Sequence, residues 1–172
     1  MRLFAAVLPD ESFRQELETI QGEMKKKGIR GRYTDPFNLH LTLVFIGEYG
    51  NPDDVMDILE EISFEPSVMI PQRIEKLRDM YVLTFEENEE MTSYVRRIHR
   101  AFSKAGIPFD RKSFWPHITL VRKAEQDPAG PLSSECGPFA CDSVSLMRSE
   151  RGRNGMVYTE TGRIEFPLSE EE

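Results

Sequence analysis

The chain has 172 residues, 39% of them hydrophobic and 30% charged, with a formal net charge of −8. That length suits one medium domain or two small ones, and a chain of this size buries roughly 70% of its unfolded surface, so neither a metal nor a disulfide is needed to hold it together. Disorder, collagen and a cysteine-dense secreted scaffold are excluded, because apolar residues are plentiful and Cys136 and Cys141 are the only cysteines. The acidic balance also excludes a uniformly basic nucleic-acid binder, though not a local basic cleft.

No apolar run approaches the roughly 20 residues that cross a bilayer, and the opening MRLFAAVLPDESFRQ turns acidic and amphipathic without a cleavable signal pattern. A cytoplasmic, monomeric protein with two reduced thiols and no membrane partner is expected. Three histidines without CxxC or HExxH spacing predict neither a zinc site nor any other cofactor.

In chain order, Leu3 to Leu8 is an apolar run stopped by Pro9 and reads as a buried strand. A helix follows: Asp10 caps it, Phe13, Leu17, Ile20 and Met24 recur at helical spacing, and Gly28 stops it. Leu39 to Ile46 is the next strand, closed by Gly47. Asn51 and Pro52 then start a helix carrying Val55, Ile58, Leu59 and Ile62. Val68 to Leu77 reads as extended, with Pro71 pointing to an edge. Tyr81 to Phe85 is a strand, Asn88 caps a helix with Met91, Tyr94, Val95, Ile98 and Phe102, Gly106 ends it, and His117 to Val121 is a strand again. Ala124 to Gly137 reads as a loop, Ala140 to Met147 and Met156 to Phe166 as closing strands, and the final SEEE as a frayed tail.

The strand–helix–strand unit occurs twice, at about 2–47 and 80–122: 37 residues separate Leu3 from His40, and 36 separate Tyr81 from His117. The predicted fold is a single α+β domain spanning 1–172. It is bilobal, with two pseudo-symmetric lobes of antiparallel sheet, helices on their outer faces, a shared core and a cleft between them.

His40-Leu41-Thr42-Leu43 and His117-Ile118-Thr119-Leu120 occupy the same place in each unit. The strand period of two puts His40 with Thr42, and His117 with Thr119, on one face, and the intervening apolar residues on the other. One such motif would pass for an ordinary half-buried strand. Two in register favour function, because packing has no need of polar pairs on both strands. An approximate two-fold relation would bring two imidazoles and two hydroxyls around one small volume. That inventory suits phosphoester hydrolysis. A base activates the nucleophile, an acid protonates the leaving oxygen, imidazole titrates near neutral pH, and the hydroxyls bond phosphate oxygens. Two coupled imidazoles predict a bell-shaped rate profile. His99, beside Arg96, Arg97 and Arg100 on a helix, reads as surface.

The paired motifs, the MRLFAAVLP opening, NLHLTLVFIGE, WPHITLVR and the closing MVYTETGRIEF resemble the 2H phosphoesterase superfamily. The nearest branch is that of the bacterial and archaeal RNA 2′,3′-cyclic phosphodiesterases, historically called 2′-5′ RNA ligases. The resemblance implies the bilobal 2H fold and metal-independent hydrolysis of an RNA terminal 2′,3′-cyclic phosphate to a 2′-phosphate, with ATP-independent 2′-5′ ligation as a side activity. The resemblance further implies His40 as proton donor to the leaving 3′ oxygen and His117 as proton acceptor, although the symmetry of the motifs leaves those two roles open in the residues themselves.

Charge is segregated: Arg96 to Lys123 holds eight Lys or Arg residues and one acid, whereas Glu48 to Met91 runs acidic. Lys25, Lys26, Lys27, Arg30 and Arg32 form a second basic cluster and Arg148, Arg151 and Arg153 a third, which together favour an anionic ligand containing phosphate. The family pattern HxTLxR singles out Arg122 for phosphate binding, yet strict alternation points it away from His117, so it must lie past the strand end or at a bulge. Phe45 holds the equivalent place in the first unit, where it stacks on a base or packs in the core; Trp115 poses the same choice. Two other functions fit the residues: a phosphodiesterase for small cyclic nucleotides or 2′-5′ oligonucleotides, and a non-catalytic RNA-binding module.

Overall fold

The computed structural model describes residues 1–166; the closing SEEE lies outside the described residues. Three α-helices form where the capping residues stand. Asp10 accepts the Phe13 N–H at 2.8 Å and starts α1 (Glu11–Lys26). Asn51 accepts the Asp53 N–H ahead of α2 (Pro52–Glu61), and Asn88 accepts the Met91 N–H at 3.0 Å ahead of α3 (Glu89–Ala105). Gly106 closes α3 in the left-handed conformation, at φ 74°. The apolar stripes of all three are buried. No helix among the described residues is long and apolar enough to cross a membrane.

The described residues also form ten strands: β1 (Arg2–Val7), β2 (Arg30–Tyr33), β3 (Leu41–Glu48), β4 (Ser67–Met69), β5 (Pro71–Leu77), β6 (Met80–Phe85), β7 (His117–Glu125), β8 (Phe139–Cys141), β9 (Ser143–Gly152) and β10 (Gly155–Glu165). Two differences from the sequence reading have plain causes. β2, RGRY, has no apolar run for periodicity to find. The expected strand from Ala140 to Met147 breaks at Asp142, because β8 pairs with β4 in a separate small ladder while β9 pairs with β1 and β10.

The main sheet is antiparallel, in the order β10-β9-β1-β3-β7-β6-β5. β5 occupies an edge, as Pro71 requires. The sheet consists of two half-sheets that meet at one pairing, Leu41 opposite Ile118. Beyond that pairing β3 leaves β7, and β2 takes over the same edge of β7 from Val121 to Glu125.

The helices cross between the halves. α1 follows β1 but lies over the half-sheet of β7, where Gln21 Nε2 donates to the carbonyls of Thr34 and Leu120 and Phe13 stacks on Phe139. α3 follows β6 but lies against α2 and the end of β10, where Tyr94, Phe64 and Phe166 form an aromatic cluster and the Phe166 N–H donates to the Asp142 carbonyl oxygen. One contiguous core therefore draws on both halves. On the opposite face of the sheet Phe4, Ala6 and Met147 form a small buried apolar cluster, with Leu8 and Tyr158 packed against it.

Gly31 lets β2 sit close against β7: a Cβ there would stand 2.8 Å from the Arg122 carbonyl oxygen and 2.9 Å from Ala124 Cα. Both obstacles are backbone, so Gly31→Ala is expected to push β2 outward and cost about 1–3 kcal/mol. Chemical denaturation of the variant measures this, and an unchanged midpoint would contradict the close approach.

Candidate active site

Two matching bulges decide what faces the cleft. Thr42 pairs with Ala6 and Val44 with Ala5, which leaves Leu43 as an extra residue in β3. Thr119 pairs with Val82 and Val121 with Tyr81, which leaves Leu120 extra in β7. At each bulge the Leu-Val pair turns into the core, and the next residue returns to the face of the histidine and threonine. Phe45 and Arg122 are those next residues. Phe45 is 52% exposed rather than packed in the core, and the alternation that would have turned Arg122 away is broken before it is reached.

All six residues singled out in the sequence (His40, Thr42, Phe45, His117, Thr119 and Arg122) line one cavity of about 460 Å³ on the face opposite the helices. The Leu41–Ile118 pairing fixes their diagonal: in that antiparallel register His40 comes opposite Thr119 and Thr42 opposite His117.

Each ring is held in the same way. His40 Nδ1 lies 2.7 Å from the Asn38 carbonyl oxygen, and His117 Nδ1 lies 2.7 Å from the Trp115 carbonyl oxygen. A carbonyl only accepts, so Nδ1 carries hydrogen on both rings and donates it, and Nε2 is the atom left for proton transfer. Aromatic neighbours fix the ring planes. Phe4 lies 4.9 Å from the His40 ring and Tyr158 meets it edge-on at 5.2 Å, while Trp115 lies tilted against His117 at 4.5 Å.

Electrostatics of the cleft favour neutral imidazoles. Burial, partly offset by the Asn38 hydrogen bond and reinforced by Arg122 and His117, pulls His40 down to about 4. Burial and Arg122 lower His117 as well, against the Trp115 hydrogen bond. The shift at His40 predicts acid sensitivity. Between its unfolded value near 6.5 and its folded value near 4, the unfolded chain binds the extra proton, so stability falls as pH drops through that window, by about 3 kcal/mol. Denaturant midpoints at pH 7 and pH 4.5 are expected to separate less in His40→Gln than in the wild type, and an equal separation would contradict the burial.

Few of the clustered cations reach this cavity. Lys25 sits over the Tyr33 ring, Lys27 bonds the Pro131 carbonyl, Arg97 bonds Ser63, and Arg148 pairs with Glu150. Arg122 and Arg2 line the cavity; Arg32 and Arg153 line the space beside it, and Arg96 and Arg111 line a separate one. His99 is partly buried against Phe109 rather than at the surface, with ring centroids 4.8 Å apart. Phe4, Thr34 and Tyr158 also line the cleft, and sequence reasoning missed them. Phe4 carried a usable signal, as an aromatic on the face of β1 opposite Leu3 and Ala5. Tyr158 carried none beyond its place in the closing segment.

Two half-sheets with one His-x-Thr on each, converging on one cavity, define a phosphoesterase architecture. The family model for LigT-like phosphoesterases matches residues 7–73 and 83–158, and the chain belongs to that family. A relative in Methanothermobacter thermautotrophicus, called RNA 2′,3′-cyclic phosphodiesterase, is 29% identical over 93% of this chain and 96% of its own. A relative of the same name in Aquifex aeolicus is 28% identical over 92% of this chain and 94% of its own. Among solved structures, a Thermus thermophilus protein superposes with TM-score 0.79 at 26% identity, over 96% of this chain and 98% of that one. The protein is a phosphodiesterase hydrolase.

Proposed function

We propose that the chain hydrolyses the 2′,3′-cyclic phosphate at an RNA end to a 2′-phosphate. The observation that carries this is the pair of imidazoles, each with Nδ1 committed to a backbone carbonyl and Nε2 free, on one cavity with a guanidinium. The names of the relatives support the choice of substrate. Water loses its proton to His117 and bonds to phosphorus, the bond from phosphorus to the 3′ oxygen breaks, and His40 delivers a proton to that oxygen. Thr42 and Thr119 bond the equatorial oxygens, and Arg122 offsets the charge that builds on them. Phe45 backs the terminal base. A 5′-hydroxyl in place of water leads through the same steps to a 2′-5′ linkage without ATP.

As donor, His40 has to be protonated, which its burial opposes more strongly than at His117. The bound phosphate anion supplies the compensating charge. The test offers RNA ending in 2′,3′-cyclic phosphate to the protein in EDTA. A 2′-phosphate product is expected; no product, or a 3′-phosphate, overturns the reading.

A further inference from the structure

Beside the cleft lies a second cavity of about 620 Å³ between the segment around Pro36–Asn38 and the tip of the β9–β10 hairpin. Thr34, Asn38, Arg122, Met156 and Tyr158 line both spaces, so the two adjoin.

Arg32 and Arg122 stand directly opposite each other in the β2–β7 ladder, and both face this cavity. Like charges directly opposite are destabilising in a sheet. Among the described residues no carboxylate lies within 4 Å of Arg32, Arg122 or Arg153 to offset that repulsion. The one carboxylate lining the cavity, Asp35, accepts the Phe37 N–H at 2.9 Å. On the same walls Phe37 is 76% exposed and Val157 51%. Unpaired cations interleaved with an exposed aromatic are what a single nucleic-acid strand requires: charge along its backbone and a flat face for a base.

We propose that this second cavity holds the nucleotide on the 5′ side of the reacting end, its phosphate between Arg32 and Arg153 and its base against Phe37. The preferred substrate is then an oligonucleotide rather than a nucleoside cyclic phosphate. This rests on the phosphodiesterase reading above. Arg122 joins the two subsites, since its side chain borders both the histidines and the next phosphate.

The test measures kcat/KM for a nucleoside 2′,3′-cyclic phosphate and for an RNA trinucleotide ending in one. The trinucleotide is expected to be favoured at least about tenfold. Arg153→Gln and Arg32→Gln should each lower the trinucleotide value about fivefold more than the mononucleotide value. Each substitution removes one cation from the strand's backbone, so the salt dependence of trinucleotide binding should become shallower by about 0.7 in log–log slope. Arg153 lies on a different hairpin from Arg122, so its effect cannot come from a displaced β2. Equal kcat/KM for the two substrates in the wild type, or equal losses on both in the variants, overturns the second subsite while leaving the phosphodiesterase reading standing. Turnover of neither substrate overturns both.

Discussion

His40→Ala and His117→Ala are each expected to lower kcat on an RNA 2′,3′-cyclic phosphate by about 10²–10⁴, the range for removal of a general acid or base. The double variant should fall little below the worse single one, because neither proton transfer advances the reaction without the other. Both side chains face the cleft rather than the main core, so the variants should fold, with circular dichroism as the check. Each histidine holds its ring to a carbonyl two residues earlier in its own chain segment, so losing one leaves the other clamp intact. A variant retaining more than a tenth of wild-type kcat would remove that histidine from the chemistry.

Arg122→Leu should lower kcat/KM by about 10²–10³, as for removal of a charge-stabilising donor. It should also move the pH profile in a definite direction. The guanidinium depresses both histidines, so its removal raises both and shifts the acid limb of kcat/KM to higher pH. Arg122→Lys separates two contributions. It keeps the charge and should leave the acid limb near its wild-type position, but it loses the two-pronged geometry and part of the rate. A loss of rate in Arg122→Leu with an unmoved profile would place the guanidinium away from the imidazoles.

How far the sequence discloses this site depends on the residue. His40, Thr42, His117 and Thr119 are legible because a strand alternates and the motif repeats. Phe45 and Arg122 carry the right chemistry, but their direction rests on Leu43 and Leu120, extra residues whose bulges exist only against the partner strands β1 and β6. Asp10, Asn51 and Asn88 announce their helices locally, each through a hydrogen bond two or three residues long. What those helices cover is not local. Gln21 reaches Leu120 across 99 positions, and no pattern within α1 foretells it. β2 hides for the opposite reason: RGRY is held by its backbone ladder to β7, by the space at Gly31 and by the core contact of Tyr33 alone, not by an apolar run.

The crossing of α1 and α3 makes the molecule interlocked. A break in the chain between β5 and β6 would split both half-sheets, since β1 pairs with β9, β2 with β7 and β5 with β6 across it, and it would part α1 from the strand β7 that it covers. Such pieces could bury their apolar faces and pair their strand edges only by joining each other, so association would restore the core and the two-histidine cleft in the same event. Folding and assembly of the catalytic pair are thus one cooperative step, and no half of this chain retains a weaker version of the activity.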